Sequence, residues 1–194
     1  MIKINTIEIA GFGSVLQALR LPFGKECRSY CDWSENLIQQ SENDKEIYFP
    51  SLTLHEIDNR DLKLLSTLVK RGDEHSKCIR GLIVYAEIEA PIWFYRELET
   101  YRLGRERLSS ESTMHIDCKG LSGEELEKAK DKIPSGKIQK TVDYYSYQTL
   151  RRIWKQRHNH RLPMWHDFCR WIESLPFADE LILIGLKDGN ERTN

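Results

Sequence analysis

A mixed α/β (α+β) domain is what the sequence predicts, on three observations. Ile2, Ile4, Ile7 and Ile9 sit around an alternating opening strand, and Leu82, Val84, Ala86 and Ile88 alternate again, the period-two signature of half-buried strands. Other stretches carry their apolar residues at helical spacing, as in Leu62, Leu64, Leu65, Leu68 and Val69. Strand and helix signals are interleaved along the chain, which points to α+β or α/β rather than all-α.

In chain order, the first strand is stopped by Gly11 and Gly13. Val15, Leu16 and Leu19 predict a short helix ended by Pro22, and Trp33, Leu37 and Ile38 suit a second one. A polar turn spans Ser41 to Lys45, and the helix over 60–70 has Gly72 where a C-cap is expected. A strand over 79–89 then meets Pro91 and gives way to a helix over 91–103, followed by a polar loop at Ser109-Ser110-Glu111-Ser112. Strand, proline stop, helix and hydroxyl-rich loop together suit a nucleotide pocket. Ser122 and Glu125 form the pattern of a capping box for a short helix ending before Pro134. A longer helix is predicted over Val142–Arg157, and Trp165, Phe168, Cys169, Ile172 and Leu175 make a further apolar stripe, stopped by Pro176. A late strand over Leu181–Leu186 completes a single domain of residues 1–188, with 189–194 as a disordered tail.

With 194 residues and 40% apolar content, the chain can bury one core. Lys plus Arg (29) balance Asp plus Glu (30), so no global field marks a nucleic-acid or membrane binder. Five scattered cysteines without a CxxC pair suit reduced thiols, the N-terminus lacks a signal-peptide pattern, and no apolar segment is long enough to span a bilayer. The expectation is a soluble cytoplasmic protein. His158, His160, His166 and Cys169 lack the paired spacing that zinc requires, so no metal is expected.

The order of the motifs resembles the flavin-dependent thymidylate synthases. That family carries a strand, a helix ending in Arg-His-Arg, and then Ser-x-Asn-Glu-x-Ser-x-Arg-Tyr. EIEAPIWFYRELETYRLG resembles the strand-to-helix segment, with Thr100-Tyr101-Arg102 at the triplet. Allowing two inserted residues, Ser109 to His115 covers Asn-Glu-x-Ser-x-Arg-Tyr. Upstream, His75 falls on the first histidine of Gly-His-Glu-Ser-Pro-Phe-Glu-His, a flavin neighbour. Downstream, Glu127-x-Ala129-Lys130 is similar to Glu-x-Ala-Arg, and in that register Arg157 falls on the nucleotide-binding arginine of Leu-Arg-x-Asp. Roughly residues 60–175 are covered. The runs LSSESTMH and YQTLRRIWKQRHNHRLP also resemble proteins of tailed-phage genomes, which would place the protein in a host cytoplasm.

The resemblance implies a central sheet with flanking helices, a homo-oligomer (a tetramer in the family) with pockets between subunits, FAD as cofactor, and a pyrimidine nucleotide or other small anionic ligand. The implied reaction is reductive methylation of dUMP to dTMP. His75, Tyr101 and Arg102 would lie at the flavin. Glu97, Ser110, Ser112, Lys130 and Arg157 would lie at the substrate, with Ser112 and Arg157 at the reacting end. Each also has a plainer reading. Arg102 can pair with Glu99 or Glu106 on a solvated face, Ser112 can be a helix cap, His75 can be merely exposed, Lys130 can answer a helix dipole, and Arg157 can be one more solvated charge. The departures also matter: Thr100, Tyr101, Ser110 and Met114 replace an arginine, the histidine, a glutamate and an arginine, and Glu97 stands at a glutamine position. A phosphate needs pre-placed cations, and losing two removes several charged hydrogen bonds of about 1.5–3 kcal/mol each. An enzyme with an altered pyrimidine substrate, or a non-catalytic phage accessory protein on the same scaffold, therefore stands beside the first reading.

Overall fold

The computed structural model describes residues 2–39 and 46–187. The polar turn expected at Ser41–Lys45 and the tail expected at 189–194 lie outside the described residues. The chain has a mixed α/β architecture built on an antiparallel sheet with flanking helices. Strands β1 (Lys3–Ala10), β4 (Ile83–Pro91), β5 (Arg105–Ser110) and β6 (Ile138–Ser146) form one sheet in the order β1-β4-β6-β5. Strands β2 (Tyr30–Gln39) and β3 (Glu46–Glu56) pair as a separate two-stranded ribbon. Helices α1 (Phe12–Leu19), α2 (Asn59–Lys70), α3 (Ile92–Leu98), α4 (Thr113–Ile116), α5 (Gly123–Asp131), α6 (Tyr147–Arg157) and α7 (Pro163–Glu173) complete the fold. Among the described residues, no helix is long and apolar enough to cross a membrane.

Register decides what the sheet buries. Val84 lies opposite Tyr145, Ala86 opposite Asp143 and Ile88 opposite Thr141, all six fully or nearly fully buried. Alternation therefore puts the intervening residues on the other face. The core stacks on this inner face: Phe94 of α3, Leu150 and Ile153 of α6, and Trp165, Phe168 and Ile172 of α7 are all 0% exposed. The aromatic rings pack edge-on or tilted, with Phe94 and Trp165 centroids 4.8 Å apart.

Several local expectations are corrected. The predicted helix over 142–157 is strand β6 up to Ser146 and helix α6 from Tyr147. Inward-facing Thr141 and Asp143 broke the apolar alternation that marks a strand. The Ser109–Ser110 part of the polar loop belongs to β5, whose buried end is Arg105 rather than an apolar residue. Trp33 lies on strand β2, not on a helix, and is 66% exposed. Helix α3 stops at Leu98 instead of 103, because the chain tightens into turns with Thr100 N–H on Glu97 O and Tyr101 N–H on Leu98 O. A 3₁₀ turn occupies Lys77–Gly81 before β4 begins. The run Leu181–Leu186 begins inside a turn of π-helix over Asp179–Leu183, with Leu181, Ile182 and Leu183 buried in succession rather than in alternation. Short continuous apolar runs do not distinguish these two outcomes. Ser122 precedes α5, but its side chain makes no capping hydrogen bond.

Candidate functional site

The turn between α3 and β5 is anchored on the start of α6. Leu103 O accepts from Thr149 Oγ1 at 2.5 Å, and Gly104 O accepts from Ser146 N–H at 2.7 Å. Gly104 has φ +76°, and a Cβ there would sit 2.5 Å from Ser146 Oγ, so no larger residue fits unstrained. Beneath the turn, Arg105 pairs with Asp143, which is 0% exposed and also accepts from Tyr145 Oη at 3.2 Å. Arg105 Nη1 donates to Leu98 O at 3.3 Å, so one guanidinium ties the end of α3 to the sheet. Arg107 pairs with Glu99 at 2.7 Å. Burial, followed by the charge of Asp143, pushes the Tyr145 phenol well above its ordinary value, which makes it a donor and not a phenolate.

The turn that this platform supports forms one wall of a cleft of about 650 Å³. Arg96, Glu99, Thr100, Tyr101 and Arg102 line it from α3 and the turn, with the Glu99 carboxylate held by Arg107, and Arg152 and Gln156 line it from α6. Across Leu103 and Arg152 it adjoins a lobe of about 410 Å³ that reaches Arg80, Tyr144 and Gln148. Arg152 is paired with Asp73 at 3.0 Å, and Arg80 Nε donates to Gln148 Oε1 at 2.6 Å. Among the described residues, Arg96 and Arg102 have no ion-pair partner. Two free guanidinium groups on one wall are suited to an anion, because each offers a planar fork of donors.

The structure gathers some of the residues singled out from sequence and separates others. Tyr101 and Arg102 line the cleft. Glu97 and Arg157 meet behind it: Arg157 Nε donates to Tyr101 Oη at 2.8 Å, and Arg157 Nη1 lies 3.6 Å from Glu97 Oε2. That same Glu97 oxygen accepts from Trp165 Nε1 at 2.8 Å, and the Arg157 guanidinium sits 4.5 Å above the Trp165 ring. Ser110 is exposed on β5, and Ser112 caps α4 by accepting from His115 N–H at 3.3 Å. Lys130 is exposed on α5, a helix that buries none of its side chains. His75 is exposed beside a separate, mainly apolar cavity of about 420 Å³ between α1 and α2. Within one chain, then, Ser110, Ser112, Lys130 and His75 line neither the main cleft nor its neighbouring lobe. Arg96, Arg152, Gln156 and Gly104 were missed by sequence reasoning; only the glycine after Arg102-Leu103 signalled a special turn. Among the described residues, no three His, Cys, Asp or Glu converge as metal ligands. His158 instead stacks on Trp154 with centroids 4.3 Å apart.

No protein-family model matches the chain, and no curated protein matches it in sequence. Solved structures match its fold. Thymidylate synthase X (ThyX) from Helicobacter pylori, crystallised with FAD and dUMP, superposes with a TM-score of 0.65 at 12% identity over 96% of this chain and 99% of that one. A second structure of the flavin-dependent Helicobacter pylori enzyme, also with FAD and dUMP, gives 0.64 at 12% identity over 93% and 97%. A UMP/dUMP methylase, PolB from Streptomyces cacaoi bound with 5-Br dUMP, gives 0.58 at 11% identity over 93% and 94%. The fold is that of the flavin-dependent thymidylate synthases, as the motif order implied.

Proposed function

We propose that this chain is a divergent flavin-dependent thymidylate synthase-like protein that binds a flavin, a pyrimidine nucleotide, or both, in the arginine-lined cleft. The observation that carries the reading is the pair of unpartnered guanidinium groups, Arg96 and Arg102, on one cleft wall of a fold whose solved examples hold FAD and dUMP. A monophosphate carries nearly two negative charges, which these two guanidinium groups match in number, each with a planar fork of donors. The residues therefore fit the phosphate portion of either ligand. A bound flavin would supply hydride transfer for reductive methylation of dUMP at C5, with methylenetetrahydrofolate as carbon source.

The protein's own part is to bind and orient. Arg102 and Arg96 hold the anionic end, Tyr101 and Gln156 face the ring system, and Gly104 and Arg105 fix the turn that presents them. His75, Ser110, Ser112 and Lys130 join such a site only across a subunit boundary. This reading includes a homo-oligomer, in keeping with Leu108, Met114, Ile116 and Ile138 standing 44–59% exposed on and beside the edge strand β5. The engagement of Arg157 by Glu97 and Tyr101 removes one expected phosphate cation, which favours an altered pyrimidine ligand as the second reading.

Absorbance of the purified protein and titration with FAD and dUMP test the proposal. Flavin bands, or a dissociation constant that Arg102→Gln weakens by about ten- to a hundredfold, are expected from the loss of one charged hydrogen bond. A colourless protein that neither FAD nor dUMP stabilises thermally would refute it. Tritium release from C5-labelled dUMP separates thymidylate synthesis from binding alone.

A further inference from the structure

Behind the cleft wall runs a chain of hydrogen bonds whose direction is dictated by chemistry. The Arg157 guanidinium carries no acceptor, so its 2.8 Å contact makes the Tyr101 phenol oxygen the acceptor. Tyr101 is 9% exposed and has one proton to give, and Gln156 Oε1 lies 2.9 Å away to take it. The amide of Gln156 is thereby oriented: its carbonyl is turned back to Tyr101, and its NH₂ is left for the cleft that it lines. With the amide turned over, its NH₂ would meet a phenol oxygen already accepting from Arg157. The nearly buried phenol proton would then lose this acceptor, an arrangement folded proteins avoid. Arg157 cannot swing away easily, since Glu97 and the Trp165 ring hold it and Trp165 Nε1 in turn holds Glu97.

We infer that Gln156 is a specificity-determining residue that donates from its side-chain NH₂ to a ring carbonyl of the ligand, and that Tyr101 and Arg157 are the positioning residues that fix its polarity. The inference rests on the nucleotide-binding reading above and deepens it. The ligand class is a heterocycle presenting a carbonyl, as uracil does at its 4-position, in preference to one presenting an amino group there, as cytosine does. Arg157, on this view, acts through Tyr101 and does not touch phosphate.

Calorimetric titration of dUMP and dCMP into the full-length protein tests it, read as the ratio of the two dissociation constants. The ratio cancels the phosphate contribution common to both ligands. The wild type should prefer dUMP by about tenfold, the worth of one hydrogen bond. Gln156→Glu, which can only accept, should reverse the preference, and its exposed position keeps the fold intact. Tyr101→Phe frees the amide to turn and should bring the ratio within about twofold while dUMP binding remains sensitive to Arg102→Gln. An unchanged ratio in Gln156→Glu, with Arg102→Gln still weakening dUMP, would overturn the inference and leave the binding reading standing. If dUMP, dCMP and FAD all fail to bind the wild type, the binding reading falls and takes the inference with it.

Discussion

Replacing Asp143 by alanine tests whether the ionic platform under the cleft is as strongly coupled as its burial implies. Asp143 is 0% exposed and the Arg105 side chain 2%, so the pair is removed from water on both sides. Deleting one partner of a buried pair costs about 3–5 kcal/mol, because the other charge is stranded. Arg105 would keep Leu98 O at 3.3 Å and the half-exposed Glu99 at 3.5 Å, which puts the expected loss at the lower end, about 3 kcal/mol. Against a typical stability of about 5–15 kcal/mol this is a large fraction. With an m-value of about 2.5 kcal/mol per molar urea, the midpoint followed by tryptophan fluorescence should fall by about 1.2 M. The double variant Asp143→Leu with Arg105→Met removes both charges and should recover most of that loss, since apolar replacements of buried pairs are often neutral or better. A midpoint shift below about 0.3 M in the single variant, or a double variant no better than the single one, would refute the reasoning.

Two further outcomes follow from groups outside that pair. Asp61 is 0% exposed; burial pushes its carboxyl upward, but Arg20, the Arg28 and Ser29 N–H groups and the Ser29 hydroxyl outweigh burial and hold it below its ordinary value of 3.8. A depressed folded-state pKa gives stability that is present above about pH 4 and is lost as pH falls through the folded value. Asp61→Asn should therefore flatten the acid limb of urea midpoint against pH, and parallel curves for the two proteins would contradict the assignment. Gly104→Ala should lower the melting temperature by about 4–8 °C, from about 2 kcal/mol of strain at φ +76° and the Ser146 Oγ clash, and an unchanged melting temperature would count against that packing.

What was legible in the sequence was whatever buried one apolar face. β1, β4, α2 and α7 announce themselves by periodicity, and the motif order from His75 to Arg157 implied the fold that was found. What stayed hidden had polar groups at inward positions. β6 carries Thr141 and Asp143 where apolar residues would have marked a strand, and β5 begins with buried Arg105. Arg105 and Asp143 brace the turn that carries Arg102, so local rules break where the chain builds its cleft. The partner of Arg157 was equally unreadable. Glu97 lies sixty positions upstream on another helix, and Trp165 of α7 contacts both, donating to Glu97 and lying under the Arg157 guanidinium.

On the proposed reading, the capacity of the cleft for an anion depends on which arginines remain free, not on how many are present. Asp143 neutralises Arg105, Glu99 neutralises Arg107, Asp73 engages Arg152 and Glu97 engages Arg157. A guanidinium already held by a carboxylate adds little net attraction for a second anion, because the carboxylate's field opposes the incoming charge at short range. Arg96 and Arg102 are left to supply about two positive charges, the charge of one monophosphate. The neighbouring Gln156 amide is turned by the Arg157–Tyr101 relay, whose one cation is mostly shielded from solvent and already held by Glu97. On that reading, affinity and discrimination would arise from separate parts of the same wall: salt should weaken the contribution of Arg96 and Arg102 and leave the polarity of Gln156 intact.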